Sequence, residues 1–180
     1  SIFRIFGNTS INGIDVTSGS LGHGAGIGAG MALAFKNKNK KNNIYVILSE
    51  GELYEGSTWE ALLFISHQKL HNVKIILDIN NLIILGTTKN CLDLKPIDKK
   101  FKSFNFVTKS IDGHNYSEIR SGINFLNKKD KRLKILLANT IKGKGVSFME
   151  NKPEWHYWQK MSINQKKQMM SELYAKVSKR

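Results

Sequence analysis

Four short runs rich in branched apolar residues constrain this chain more than anything else in it. They are "NIYVILS" (43–49), "VKIILDIN" (73–80), "NFVTKSI" (105–111) and "LKILLANTI" (133–141). Each has the length and β-branched content of a buried strand, and helical patterns lie between them. "STWEALLFISHQKLH" separates the first two. Ser57 or Thr58 is placed to cap it, and Trp59, Leu62, Leu63, Ile65 and Leu70 supply its apolar stripe. "LKPIDKKFKSF" predicts a short helix before the third run, and "YSEIRSGINFLNKK" a longer one before the fourth. Strand and helix alternating through short connections predict a three-layer α/β domain, with a mostly parallel sheet and helices on both faces.

Ligands of such sheets collect beyond the carboxyl ends of the strands. The residues at those ends are "SEGE", "NNL", "DGH" and "KGKG", a concentration of acids, amides and glycines. Upstream, "TSGSLGHGAGIGAGMALAFK" (17–36) contains Gly24-x-Gly26-x-x-Ala29, a weak match to a dinucleotide fingerprint because no convincing strand precedes it. A Gly/Ala helix packed closely against another backbone accounts for it equally well. The tail from 159 to 180 reads as one amphipathic helix with Met169, Leu173 and Val177 along its apolar edge.

The 180 residues suit a single domain spanning 1–180, and no apolar run approaches the ~20 residues of a membrane span. The abrupt opening "SIFRIFGNTS" suggests an N-terminally shortened domain. One cysteine, Cys91, excludes an internal disulfide and a multi-cysteine metal site, which makes the cytoplasm the default compartment. The net charge of +14 raises nucleic-acid binding as a function class. Its basic runs lie far apart in sequence, between apolar segments, and read as solvated loops and helix faces.

Glu50 follows the first run and Asn80 ends the second, with one helix and one strand between them, so both fall at neighbouring strand ends. A carboxylate, an amide oxygen and a backbone carbonyl are hard donors that suit magnesium or calcium, with phosphate oxygens completing the shell. His67 and His71 stand four apart, but no third ligand accompanies them and packing is the simpler account. His114 in "DGHN" reads as a turn residue.

"TSGSLGHG", "LSEGELYEGSTWEA", "VKIILDINNL" and "IKGKGVSFMENKPEWH" together resemble the diphosphate-binding half of a transketolase, in the same order and over nearly the whole chain. The resemblance implies that Gly19, Ser20 and Leu21 touch the aminopyrimidine side of thiamine diphosphate. It implies a Mg2+ or Ca2+ ion held by Glu50, Asn80 and the Leu82 carbonyl, and a diphosphate met by the Gly51 amide. Lys142 and His156 would lie near cofactor and donor sugar, His156 as a proton donor or acceptor. Glu55 and Glu60 would couple paired active sites. The partner implied is a C-terminal, pyrimidine-binding subunit, as in two-subunit transketolases, with self-association and sugar phosphate substrates. The sequence departs from that pattern where Glu50 replaces the usual aspartate, Ser49 the preceding glycine, and Asn8 a substrate-contacting histidine.

Overall fold

The structure, a computed structural model, describes residues 8–157 and 160–177. Helix α1 (Gly24–Asn37) leads into strand β1 (Ile44–Ser49), a 3-10 turn (Gly51–Tyr54), α2 (Gly56–His67) and β2 (Val73–Ile79). A small hairpin follows, β3 (Leu82–Ile83) and β4 (Gly86–Thr87), and then α3 (Thr88–Cys91) and α4 (Ile97–Ser103). The chain continues through β5 (Phe106–Asp112), α5 (Tyr116–Asn127), β6 (Leu133–Asn139), a second 3-10 turn (Pro153–Trp155) and α6 (Ile163–Val177).

The main sheet has the order β1-β2-β6-β5 and every pairing in it is parallel. Alternating side chains divide between its two faces. Val46, Leu48, Ile75, Leu77, Ile135 and Leu137 bury against α1, α2 and α4 through Ala29, Leu62, Ile65 and Phe101. On the other face Leu136, Ala138 and Ile111 meet Leu126 and Ile119 of α5. The three-layer α/β expectation therefore describes the molecule. Helix α5 meets the outer strand at its carboxyl end, where the Tyr45 hydroxyl donates to Asn127 Oδ1 at 2.6 Å, and leaves Ile47 75% exposed.

Helix α1 carries four glycines that would ordinarily weaken it. One of them has a packing reason. A Cβ at Gly28 would stand 2.5 Å from Val46 Cγ2, so only a bare backbone lets α1 lie this close to β1. Helix α5 has a sequence-encoded start, since Asn115 Oδ1 accepts from the amides of Ser117 (2.9 Å) and Glu118 (3.3 Å).

Three local expectations need correction. Neither Ser57 nor Thr58 caps α2, because the helix already begins at Gly56 with Glu55 at the cap position and no side-chain cap bond. The two hydroxyls turn elsewhere, Ser57 Oγ to the Gly22 carbonyl at 2.8 Å and Thr58 Oγ1 toward Glu52. Leu63 is 49% exposed and lies outside the buried stripe. The tail helix is fastened by polar contacts: Glu172 accepts from the Ser147 amide and hydroxyl, both at 2.6 Å. Met169 is half-buried and Leu173 exposed, while the side chain of Val177 lies outside the described residues.

His71 sits past the end of α2, so no helical His67–His71 pair forms. Its buried Nδ1 has no partner among the described residues. Burial, reinforced by the charges of Lys36, Lys74, Lys131 and Lys69, holds its pKa below the ordinary value. The unfolded chain therefore binds a proton near pH ~6.5 that the fold resists, and stability falls as pH drops through that value. A lower melting temperature at pH 5.5 than at pH 7 is expected, with His71→Asn losing part of the difference. Glu50, whose pKa is raised, contributes with the opposite sign above its ordinary range, and the wild-type-to-variant difference cancels it.

Candidate active site

All four strands of the sheet end on one edge, and the candidate residues cluster there. Glu50 leaves β1, Asn80 leaves β2, His114 follows β5 and Thr140 follows β6. Glu50 is buried, and its Oε2 accepts from the backbone amides of Asn80 (2.9 Å) and Asn81. It thus reaches residue 80 through the backbone. The Asn80 side chain has partners of its own, its Nδ2 donating to Asp78 Oδ2 at 3.1 Å and its Oδ1 accepting from the Leu82 amide at 3.0 Å. Asp78 also accepts from the Thr140 hydroxyl, and the Thr140 amide donates to the Ile79 carbonyl at 2.8 Å. Asp78 therefore ties together the loops after β2 and β6 and fixes which end of the Asn80 amide is oxygen.

Burial pushes the Glu50 carboxyl above its ordinary range. The amides of Asn81 and Asn80 and the charge of Lys95 oppose that rise, and the Asp78 carboxylate adds to it. An ionised carboxylate kept from water in this way calls for a cation. The hard oxygens that the resemblance implies there, from Glu50, Asn80 and the Leu82 carbonyl, would suit a divalent ion that also takes phosphate oxygens. Among the described residues no group of three His, Cys, Asp or Glu side chains could hold a metal, so phosphate oxygens would have to complete such a shell.

Beside this pair lies an open cleft of about 560 Å3, lined by Asp78, Asn80, His114, Thr140, Lys142 and Lys144 among others. Lys142 and Lys144 bring positive charge to it. His114 Nε2 accepts from the Ile141 amide at 2.7 Å, so its proton is on Nδ1 and the ring braces the loop that carries Lys142. His156 is exposed on the bend after the second 3-10 turn. Partial burial and the Lys142 charge hold its pKa below the ordinary value, so the ring is neutral at pH 7.

Gly19, Ser20 and Leu21 form an exposed loop next to the acidic turn. The residue joining the two is Glu52, one of the three carboxylates of that turn and one to which the sequence alone assigns no separate role. It is 7% exposed, and its Oε1 accepts from the Gly22 amide at 2.9 Å. Gly22 has φ +83°, and a Cβ on it would strike Ser57 Oγ at 2.5 Å, so both conformation and space demand glycine there. Gly51 opens the 3-10 turn. Glu55 and Glu60 lie exposed at the start of α2, outside the cleft.

A parallel αβα sheet with carboxylate, amide and lysines at its carboxyl edge is the frame of a diphosphate-binding domain. The family model of the transketolase thiamine diphosphate-binding domain matches residues 7–170, and the chain belongs to that family. It is 41% identical over 147 residues to one subunit of the apulose-4-phosphate transketolase of Actinobacillus succinogenes, covering 81% of this chain and 52% of that one. It is 38% identical over 144 residues to the SqwG subunit of the 6-deoxy-6-sulfo-D-fructose transketolase of a Clostridium species, covering 80% and 52%. The chain thus spans about half the length of these curated relatives. Among solved structures, Campylobacter jejuni transketolase superposes with a TM-score of 0.76 at 28% identity, over 82% of this chain and 24% of that one. Pichia stipitis transketolase, in complex with sedoheptulose-7-phosphate, gives 0.80 at 25% identity, over 92% and 26%.

Proposed function

We propose that this chain is the diphosphate-binding half of a two-subunit transketolase, transferring a two-carbon ketol unit from a ketose phosphate to an aldose. The observation that carries the reading is the meeting of Glu50, Asn80 and the Lys142 cleft at one sheet edge, in a chain 41% identical to one subunit of an apulose-4-phosphate transketolase. Glu50, Asn80 and the Leu82 carbonyl hold Mg2+ or Ca2+. Gly51 and Lys142 meet the diphosphate, and Gly19, Ser20 and Leu21 border the aminopyrimidine. Bound thiamine diphosphate supplies the nucleophilic carbon and the electron sink that C–C cleavage needs.

The chain's own residues prepare the surroundings. Lys142 and Lys144 offset the negative charge of diphosphate and sugar phosphate. Neutral His156 can accept a proton at a substrate hydroxyl or return one. Glu55 and Glu60, exposed and outside the cleft lining, would couple paired sites across an interface. The exposed Ile27 of α1 and Leu63 and Phe64 of α2 leave apolar surface on two adjacent helices, which supports a partner there. The partner is the pyrimidine-binding subunit, and self-association builds the paired sites. The cytoplasm is the compartment of this reading.

Mixing the chain with such a pyrimidine-binding partner, thiamine diphosphate and magnesium is expected to yield ketol transfer that neither protein gives singly. A mixture that forms a stable complex yet transfers nothing would refute the reading. A second reading, a partner-binding subunit that no longer holds cofactor, is favoured by the engagement of Glu50 Oε2 with two amides. Complex formation indifferent to thiamine diphosphate would support it.

A further inference from the structure

The basic runs that lie far apart in sequence come together in the fold. In a parallel sheet every strand begins on the same edge, and the loops entering β1, β2 and β6 are consecutive along it because these strands are neighbours. Residues 36–43, 68–74 and 128–134 therefore form one stripe. They hold eleven of the 28 lysines and arginines, nine of them exposed and two (Lys74 and Lys134) buried, against a single carboxylate, Asp130. That carboxylate is already engaged, by Lys134 at 2.8 Å and Arg132 at 2.7 Å. Lys100 and Lys102, at the end of α4, extend the stripe toward β5.

Direct contacts show that the segments abut. Lys36 Nζ donates to the Gln68 carbonyl at 2.6 Å, and Asn72 Nδ2 to the carbonyls of Ala32 (3.1 Å) and Asn42 (3.4 Å). The charges of Lys36, Lys69, Lys74 and Lys131 all act on the one ring of His71. Helices α1, α2 and α5 end on this edge, and each helix carboxyl end is complemented by about half a positive charge. The lysines here exceed that requirement several-fold.

We propose that this edge binds the sugar-phosphate backbone of a nucleic acid without reading its sequence. Exposed Lys38, Lys40, Lys41, Lys128, Lys129 and Lys131 are unpaired with any carboxylate among the described residues. Between them lie asparagines, which also donate to phosphate oxygens. Loop 38–43 contains only lysine and asparagine, with no apolar or aromatic residue to enter a bilayer or stack on a base. This surface is opposite the candidate active site, so a partner completing that site leaves it open.

The test is fluorescence anisotropy of the full chain with a labelled mixed-sequence duplex, titrated at increasing NaCl. Binding at 50 mM salt that weakens steeply is expected, each phosphate contact adding ~0.9 to the log–log slope. Replacing Lys38, Lys40 and Lys41 together with Gln is expected to lower affinity about tenfold and flatten the slope by two to three contacts, ~2–3 units. Lys128, Lys129 and Lys131→Gln should do the same. The control Lys160, Lys166 and Lys167→Gln removes equal charge elsewhere and should change affinity by less than about twofold. No binding at 50 mM salt overturns the proposal, as does a control that weakens binding equally. Sedimentation with phosphatidylserine vesicles in the absence of duplex binding also overturns it, in favour of an anionic membrane.

Discussion

Asn80→Ala is expected to abolish magnesium-dependent binding of thiamine diphosphate, weakening it by about 100-fold or more in isothermal titration. Losing even an outer partner of a metal ligand costs a site about 10–100-fold, and Asn80 is a direct donor in the proposed shell. The variant should remain folded. It loses the side-chain bonds to the Leu82 amide and to Asp78, each worth about 1 kcal/mol, while Glu50 still accepts from the backbone of residues 80 and 81. Circular dichroism separates the two effects. Asp78→Asn makes a graded companion: it keeps a side chain beside Asn80 but removes the charge that orients the amide, and about a tenfold loss is expected. Unchanged affinity in both variants would remove the cation from the proposed function.

The largest loss of stability is expected from Phe101→Ala, about 3–5 kcal/mol, as for other fully buried aromatic truncations. Phe101 is 0% exposed and stacks on Trp59 with ring centroids 5.7 Å apart and planes 26° from parallel. Trp59 in turn donates its indole N–H to the Leu53 carbonyl at 2.8 Å, inside the turn that follows Glu50. Removing the ring therefore takes the support from α4 and from that turn together. Urea unfolding followed by tryptophan fluorescence should show a much lower midpoint, and Phe101→Leu, which leaves a smaller void, should lose less than half as much. A midpoint within experimental scatter of the wild type would mean that α4 is not part of the cooperative core.

Strands and long helices were legible because their apolar periods are strong and their lengths ordinary. The edge on which chemistry collects followed from parallel pairing, a property of topology that short crossovers reveal. The 82–87 hairpin was not legible: two residues per strand leave no period to detect. The roles of Glu50, Glu52 and Glu55 could not be separated either, since three carboxylates in six residues differ only in the direction that a tight turn gives each. Glu52 turns inward because a buried amide at Gly22 waits for it, and that amide lies thirty residues away. The cap on α2 was misread for the same reason, as distant acceptors drew both hydroxyls away from the helix end. The basic stripe depends on strand order, which no single run carries.

The short turn after β1 grips two remote segments with two neighbouring acids. Glu52 holds Gly22 and Glu50 holds Asn80, each across thirty residues of chain. The two segments that the proposed function assigns to opposite ends of one long ligand are therefore levered from a common fulcrum. A change of one methylene at Glu50 cannot be absorbed where it occurs. It must be shared by both arms, so natural variants at this turn should vary in step with the loops on either side of it.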